Sequence, residues 1–336
     1  MRRRRVAKKK YNIFLTAVII FLNTSCTLFD SKPSPVNDSL ILYDYRPFMI
    51  NTRAVKLREN STLKITDNLP IIDGATALYP LYAAFVQAVY PKGEYRADKK
   101  RDPDDYTRIT PPIVDGGSTS EAYKNLIDGT ADMIFCARPS VDQIEKARKE
   151  GIAFNLTPIG KEAFVFFVNK RNPVSNLTTE QIKGIYSGRI TNWTELGGKN
   201  ESIRVYQRSK NSGSQTILEW IMGDKKIIEP IKENVQVPMI GIVNHVADYR
   251  NYNDAIGYSF LFYTTRMVQN NKIKLLSIND IAPSTETIQD GTYPYADYFY
   301  VITTNTKNEN VKKFIEWILS DQGQYLVKKT GYVPIK

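Results

Sequence analysis

Histidine is all but absent from this chain: His245 is the only one in 336 residues, and cysteine appears twice, at Cys26 and Cys136. A Ser-His-Asp catalytic arrangement needs its histidine beside a positioned serine, and the residues around His245 offer neither hydroxyl nor metal-ligand spacing. Two separated cysteines fall short of a structural zinc site, which takes four ligands. The pattern G-x-x-x-x-G-K-[ST] does not occur, so nucleotide hydrolysis is not indicated. There is no repeat at solenoid periods and no low-complexity tract. These absences argue against an enzyme and turn attention to binding.

A further gap is informative: residues 1 to 25 contain no acid. Arg2 to Arg5 and Lys8 to Lys10 supply seven positive charges there, which reduces the formal charge of +11 to +4 for the remainder. That residue of charge is too small to argue for nucleic acid as a partner. After the basic stretch, IFLTAVIIFL (13 to 22) gives ten apolar or small residues. A bilayer crossing needs roughly 20, whereas ten suit the apolar core of a secretory signal. Residues 1–25 therefore read as a signal peptide. Cys26 follows the small residues Thr24 and Ser25, as at the end of a lipoprotein signal, although Asn23 stands where a bulky aliphatic residue is expected. Lipidation at Cys26 leaves Cys136 without a disulfide partner; an exported chain equally permits the two to pair. Residues 26–67 are then lipid anchor and tether, with ILYDY (41 to 45) readable as a short strand.

At 42% hydrophobic and 24% charged, the chain has a globular composition. From residue 68 its pattern is α/β. LPIID (69 to 73) reads as a strand, and Leu78, Leu81, Tyr82, Phe85 and Val89 follow at helical spacing. Ser118 and Glu121 match a capping box before the next helix, and ADMIFCA (131 to 137) reads as a buried strand. Strand-helix repetition of this kind marks a parallel or mixed sheet covered by helices. Two strongly apolar strands, AFVFFV (163 to 168) and YFYVITT (298 to 304), enclose a self-sufficient α/β segment; one helix, VKKFIEWILS, follows before the chain ends. The expectation is a two-lobed α/β protein with two mixed sheets flanked by helices. Residues 68–167 with 298–336 make one lobe and 168–297 the other, with the two strands as crossings.

Three places share a design. IDGATALYP (72 to 80), DGGSTSEAY (115 to 123) and RSKNSGSQT (208 to 216) each put glycine and small hydroxyl residues directly before a helix. Helix starts leave N–H groups unpaired and carry partial positive charge, so anions bind there. Each taken singly is equally well a helix cap. Together with Arg208, whose guanidinium can present two parallel N–H bonds to an oxyanion, they point to one shared oxyanion ligand.

The segments IIDGATALYPL, DGGSTSEAYKNLIDGTADM, NPVSNLTTEQIKGIYSGRITNWTELGG, RSKNSGSQT, DAIGYSFL and GQYLVKKTGYVP resemble, in order over residues 69 to 336, the phosphate-binding PstS family of ABC-transporter substrate-binding proteins. The resemblance implies a periplasmic-binding-protein fold of the type with two hinge crossings. It implies a monomer that closes over inorganic phosphate and delivers it to an ABC permease, held at a membrane facing the periplasm or cell exterior through lipid on Cys26. It implies no cofactor, metal or nucleic acid. The ligand contacts it implies are Ala75 and Thr76, Ser118, and Arg208, Ser212, Gly213 and Ser214. Ala75 stands where the family often has a hydroxyl and offers only backbone. Many members hold a carboxylate, accepting the ligand's proton, where this chain has Arg138; some branches carry arginine there. Arg138 adds charge for a dianion and cannot accept a proton, which leaves sulfate, molybdate or an organic phosphate as competing ligands, and Asp73 and Asp115 as substitute acceptors. A surface signalling or adhesion protein that keeps the fold is the reading from a different class.

Overall fold

The computed structural model describes residues 38–93, 95, 118–236, 238–248 and 254–336. Cys26, Asp115 and the glycines of the second loop lie outside them. The compact unit runs from Val36 to Lys336. Its strands are β1 (Ile72–Gly74), β2 (Met133–Cys136), β3 (Asn155–Asn169), β4 (Asn176–Leu177), β5 (Arg204–Val205), β6 (Gln207–Arg208), β7 (Val235–Gln236), β8 (Ala255–Phe260), β9 (Ile273–Leu275), β10 (Ser277–Ile278) and β11 (Ala296–Thr303). The helices are α1 (Asp38–Tyr43), α2 (Tyr79–Val89), α3 (Thr119–Ile127), α4 (Val141–Lys149), α5 (Thr179–Tyr186), α6 (Gly213–Met222), α7 (Met239–Ala247), α8 (Thr285–Gln289), α9 (Glu309–Ile318) and α10 (Asp321–Thr330).

Seven strands form one mixed sheet in the order β1-β2-β11-β3-β8-β5, with β9 also on β3. The two sheets expected from the sequence are thus continuous through a single strand. The first half of β3 pairs antiparallel with β11, from Asn155↔Thr303 to Ala163↔Ala296. Its second half pairs antiparallel with β8, from Phe164↔Phe260 to Val168↔Ile256, and with β9. Beyond these, β1–β2 and β5–β8 are parallel. Phe164 to Val168 are buried on both faces, which is why this stretch reads as an unbroken apolar run and not an alternation. Around it Phe164, Phe166, Tyr186 and Tyr258 pack ring against ring, with centroids 5.2–6.3 Å apart.

Several elements follow local signals. Thr178 and Gln181 close a reciprocal capping box at α5, and Ser140 and Gln143 do the same at α4. Ser118 caps α3 by accepting the Glu121 N–H at 3.2 Å. The sequence reading ended the chain after one helix; the structure adds α10, packed tightly behind α9. The corner between them is so close that a Cβ on Gly323 would lie 2.2 Å from the Ile318 carbonyl oxygen. ILYDY is not a strand: its first three residues complete α1, and Ile41, Leu42 and Tyr45 are buried in the main core.

Residues 38–67 bind to distant parts of the unit. Thr62 N–H donates to Gln322 Oε1 at 2.8 Å, Ile65 N–H to the Val89 carbonyl at 3.1 Å, and Phe48 N–H to Gln87 Oε1 at 2.9 Å. At the other end Asp38 performs a cap that α7 cannot provide for itself. The residue before α7 is Pro238, with no side-chain acceptor. The Asp38 carboxylate instead accepts the N–H groups of Met239 (2.8 Å) and Ile240 (3.2 Å), and the Tyr263 hydroxyl donates to it as well. Two otherwise unpaired donors of a helix start are thereby satisfied. Asp38→Ala is expected to cost about 1–2 kcal/mol, read as a lower urea midpoint at unchanged slope. An unchanged midpoint would show that this cap is not formed in solution.

Candidate functional site

Loops from three parts of the chain meet at one cavity of about 30 Å³, room for a single small species. Ala75 and Ala77 come from the first loop, Thr119 from the second and Gly213 from the third, and Glu162 of β3 closes the wall. The third loop reaches the second directly. A Cβ on Gly213 would lie 2.7 Å from the Thr119 hydroxyl, so any side chain there would have to push that hydroxyl aside.

The individual residues take distinct parts. The Ala75 N–H donates to the Phe135 carbonyl at 2.8 Å, so that amide extends the sheet and is not offered to a ligand. Thr76 is buried at the first position of the 3₁₀ turn Thr76–Leu78. Ala77, passed over in the sequence, lines the cavity, while its carbonyl accepts the Tyr332 hydroxyl. Ser118 caps α3 and does not line the cavity; its neighbour Thr119 does. Ser212 caps α6 by accepting the Gln215 N–H at 3.3 Å, and Ser214 is buried in the first turn.

Arg208 lies on β6, at the start of the loop that delivers Gly213. It is 8% exposed. Its backbone N–H donates to the Tyr258 hydroxyl (2.8 Å) and to Gln215 Oε1 (3.1 Å), and its Nε–H donates to the Gln236 carbonyl at 2.9 Å. The last bond follows from the β6–β7 pairing, which sets Arg208 beside Gln236. Burial pushes the Arg208 pKa below its ordinary value, against the pull of Tyr258, Asp38 and Tyr263. A cation taken this far from water favours an anion as its partner.

Arg138 is engaged elsewhere. Its guanidinium pairs with Asp297 at 2.6 Å and lies 4.3 Å over the Trp220 ring, so its charge is neutralised inside the protein. Asp73 is equally committed, with one oxygen accepting the Gly74 N–H at 2.6 Å and the other the Asn125 amide at 2.8 Å. Beside the cavity α4 grips the third loop. Ser140 Oγ donates to Asn211 Oδ1 at 2.8 Å, Gln143 Nε2 to the Asn211 carbonyl at 3.3 Å, and Lys210 pairs with Asp142 at 2.6 Å. Away from the site, His245 stacks on Tyr206 at 5.2 Å and Cys136 is a buried free thiol. Among the described residues no group of three or more His, Cys, Asp or Glu could hold a metal, and no helix is long and apolar enough to cross a membrane.

Residues 71–322 match the model of the PBP superfamily domain. The chain belongs to this superfamily. Among curated proteins it is 25% identical over 297 residues to Protein SphX of Synechococcus elongatus, covering 80% of this chain and 84% of that one. It is 27% identical over 201 residues to the phosphate-binding protein PstS of Borreliella burgdorferi, covering 58% and 69%. Among solved structures, a phosphate ABC transporter substrate-binding protein of Clostridium perfringens with bound phosphate superposes with a TM-score of 0.58 at 22% identity, over 81% of this chain and all of that one. A phosphate transport receptor of Vibrio cholerae gives 0.55 at 21%, over 80% and 99%. At these identities the structures establish the fold alone: mixed α/β, a mixed sheet flanked by helices.

Two measurements test the site's construction. Asn211 has φ = 65°, the left-handed region that costs most side chains dearly. Asn211→Ala is expected to lose about 1–3 kcal/mol, combining strain with the lost Ser140 bond. Asn211→Gly, free of the strain, isolates the bond; equal stability of Gly and wild type by urea unfolding would show that the grip contributes nothing. Glu162 carries the pH signature. Burial pushes its carboxyl from 4.5 up to about 8, against two backbone N–H bonds that pull it down. A raised native value means the folded state holds the proton more tightly. The stability from this group is complete below about 4.5 and lost as pH rises through about 8. Urea midpoints across that window should fall for wild type relative to Glu162→Gln; parallel curves would contradict the shift.

Proposed function

We propose that this protein is an exported solute-binding protein that captures inorganic phosphate in its cleft and delivers it to an ABC permease. The observation that carries the reading is the meeting of three loops, each at the start of a helix or helical turn, on one small cavity; the third of them leads away from the buried cation Arg208, which does not itself line that cavity. A small oxyanion meets backbone N–H groups and a guanidinium there, and no bond is made or broken. The family relationship and the names of the curated relatives support phosphate as the ion. Residues 68–167 with 298–336 act as one lobe and 168–297 as the second. They rotate about β3 and the segment entering β11, and the closed form is what the permease recognises. The lipidated Cys26 tethers a monomer to the membrane, outside the cytoplasm.

A second oxyanion, sulfate above all, is favoured by one observation: Arg138, where the family often places an acceptor for the ligand's proton, is paired with Asp297. Calorimetric titration of protein unfolded and refolded to strip bound anion tests both readings. Phosphate should bind, and Arg208→Ala should weaken it about a hundredfold or more, since two charge-assisted bonds of ~1.5–3 kcal/mol each are lost. A folded wild type that takes up neither phosphate nor sulfate would sink the transport reading and turn the search to larger ligands or protein partners.

A further inference from the structure

Glu162 is a buried carboxyl of which the fold uses only one oxygen. Its Oε1 accepts the Ala163 N–H at 3.0 Å and the Phe262 N–H at 3.4 Å. Its Oε2 is out of contact with solvent and has no hydrogen-bond partner. The residue lines the same cavity as Ala75, Thr119 and Gly213. A buried acceptor left unpaired costs roughly 1–3 kcal/mol, and such a cost is worth bearing where a ligand completes the bond.

We propose that Glu162 reads the proton on the bound oxyanion, taking the part that Arg138 cannot play. The inference rests on the oxyanion reading above and deepens it. The groups facing Glu162 come from every side. Asp297 is its register partner on β11, and Arg138 neutralises that carboxylate. Tyr332, near enough for Glu162 to raise its hydroxyl pKa, donates to the Ala77 carbonyl. Lys161 is adjacent, but its ammonium lies 5.3 Å over the Tyr298 ring. Tyr295 and Tyr298 share the cavity wall. Only the two amides favour the charged form, and burial outweighs them, so the carboxyl titrates at about 8.

The chemistry divides at that value. The neutral acid donates its O–H to any oxyanion oxygen. The carboxylate can only accept, and must be given a proton. Phosphate keeps a proton that it can donate over most of the alkaline range; sulfate has none. An ionised Glu162 facing sulfate is an unpaired buried acceptor set against like charge, which is how a site rejects an analogue lacking one hydrogen. Below about 8 both ions are accepted; above it only phosphate is.

Sulfate is the cleaner probe, because its own charge is constant over this range. Purified exported protein, stripped of anion, is titrated with phosphate and with sulfate at about pH 6 and about pH 9.5, alongside Glu162→Gln. In wild type, sulfate affinity should fall about tenfold or more between the two pH values. Glu162→Gln, which donates at both, should show only the shallow decline caused by overall charge. Calorimetry in two buffers of different ionisation heat should also show sulfate, at the higher pH, taking up a proton in wild type alone. Identical sulfate profiles for the two proteins would overturn the assignment, as would wild type that binds phosphate but no sulfate at the lower pH. Wild type binding neither ion defeats the oxyanion reading itself, and Glu162's part with it.

Discussion

Strand β3 is the constraint on which the rest depends. Its first half takes its antiparallel partner from β11 and its second half from β8 and β9, so one strand of fifteen residues belongs to both arms of the sheet. Hydrogen bonding on both edges and apolar cover on both faces of its second half leave it little freedom. The place where its partners change, Glu162 to Phe164, is also where it borders the cavity. A carboxylate at that point is held by the backbone of Ala163 and Phe262 and cannot swing to water. In the proposed two-lobed mechanism this is the segment nearest the axis of rotation, where the geometry around a bound ion changes least.

The three loops solve one electrostatic problem in different ways. Arg208 is removed from water, which penalises its charge, and the surrounding bonds fix it through its backbone and Nε. Asp38, which caps α7, is one of the charges that favour its protonated form. The segment ahead of the α/β core is therefore part of the site's electrostatics as well as of the packing. Arg138 is treated oppositely: Asp297 and Trp220 occupy it. Two arginines of equal formal charge thus sit in different surroundings, one buried and fixed through its backbone and Nε, the other paired with a carboxylate and stacked on a ring.

Much of this was legible in the residues. The cap at Ser118 follows from a hydroxyl placed three residues before a helical N–H, a purely local rule. The apolar runs marked β3 and β11; the second half of β3 is covered on both faces and so loses its alternation, whereas β11 still exposes Tyr298. The glycine-hydroxyl pattern located the three loops, since helix starts need donors or acceptors from somewhere close in sequence. It did not say which residue of each loop turns inward. Ala77 and Thr119 line the cavity, where Thr76 and Ser118 were expected. One position along a tight turn rotates a side chain to a different neighbour, and only packing selects between them.

What the sequence determined alone was the family, most of the helices and strands of the α/β core, and the glycine-hydroxyl pattern at three helix starts, because each is written in local spacing. Tertiary structure decided the rest. That Asp297 takes up Arg138, that Asp38 caps a helix 201 residues away, and that Glu162 is left with a buried oxygen and no partner all depend on chain segments brought together by folding. Charge and burial are properties of a place, and the place exists only when the sheet has closed around β3.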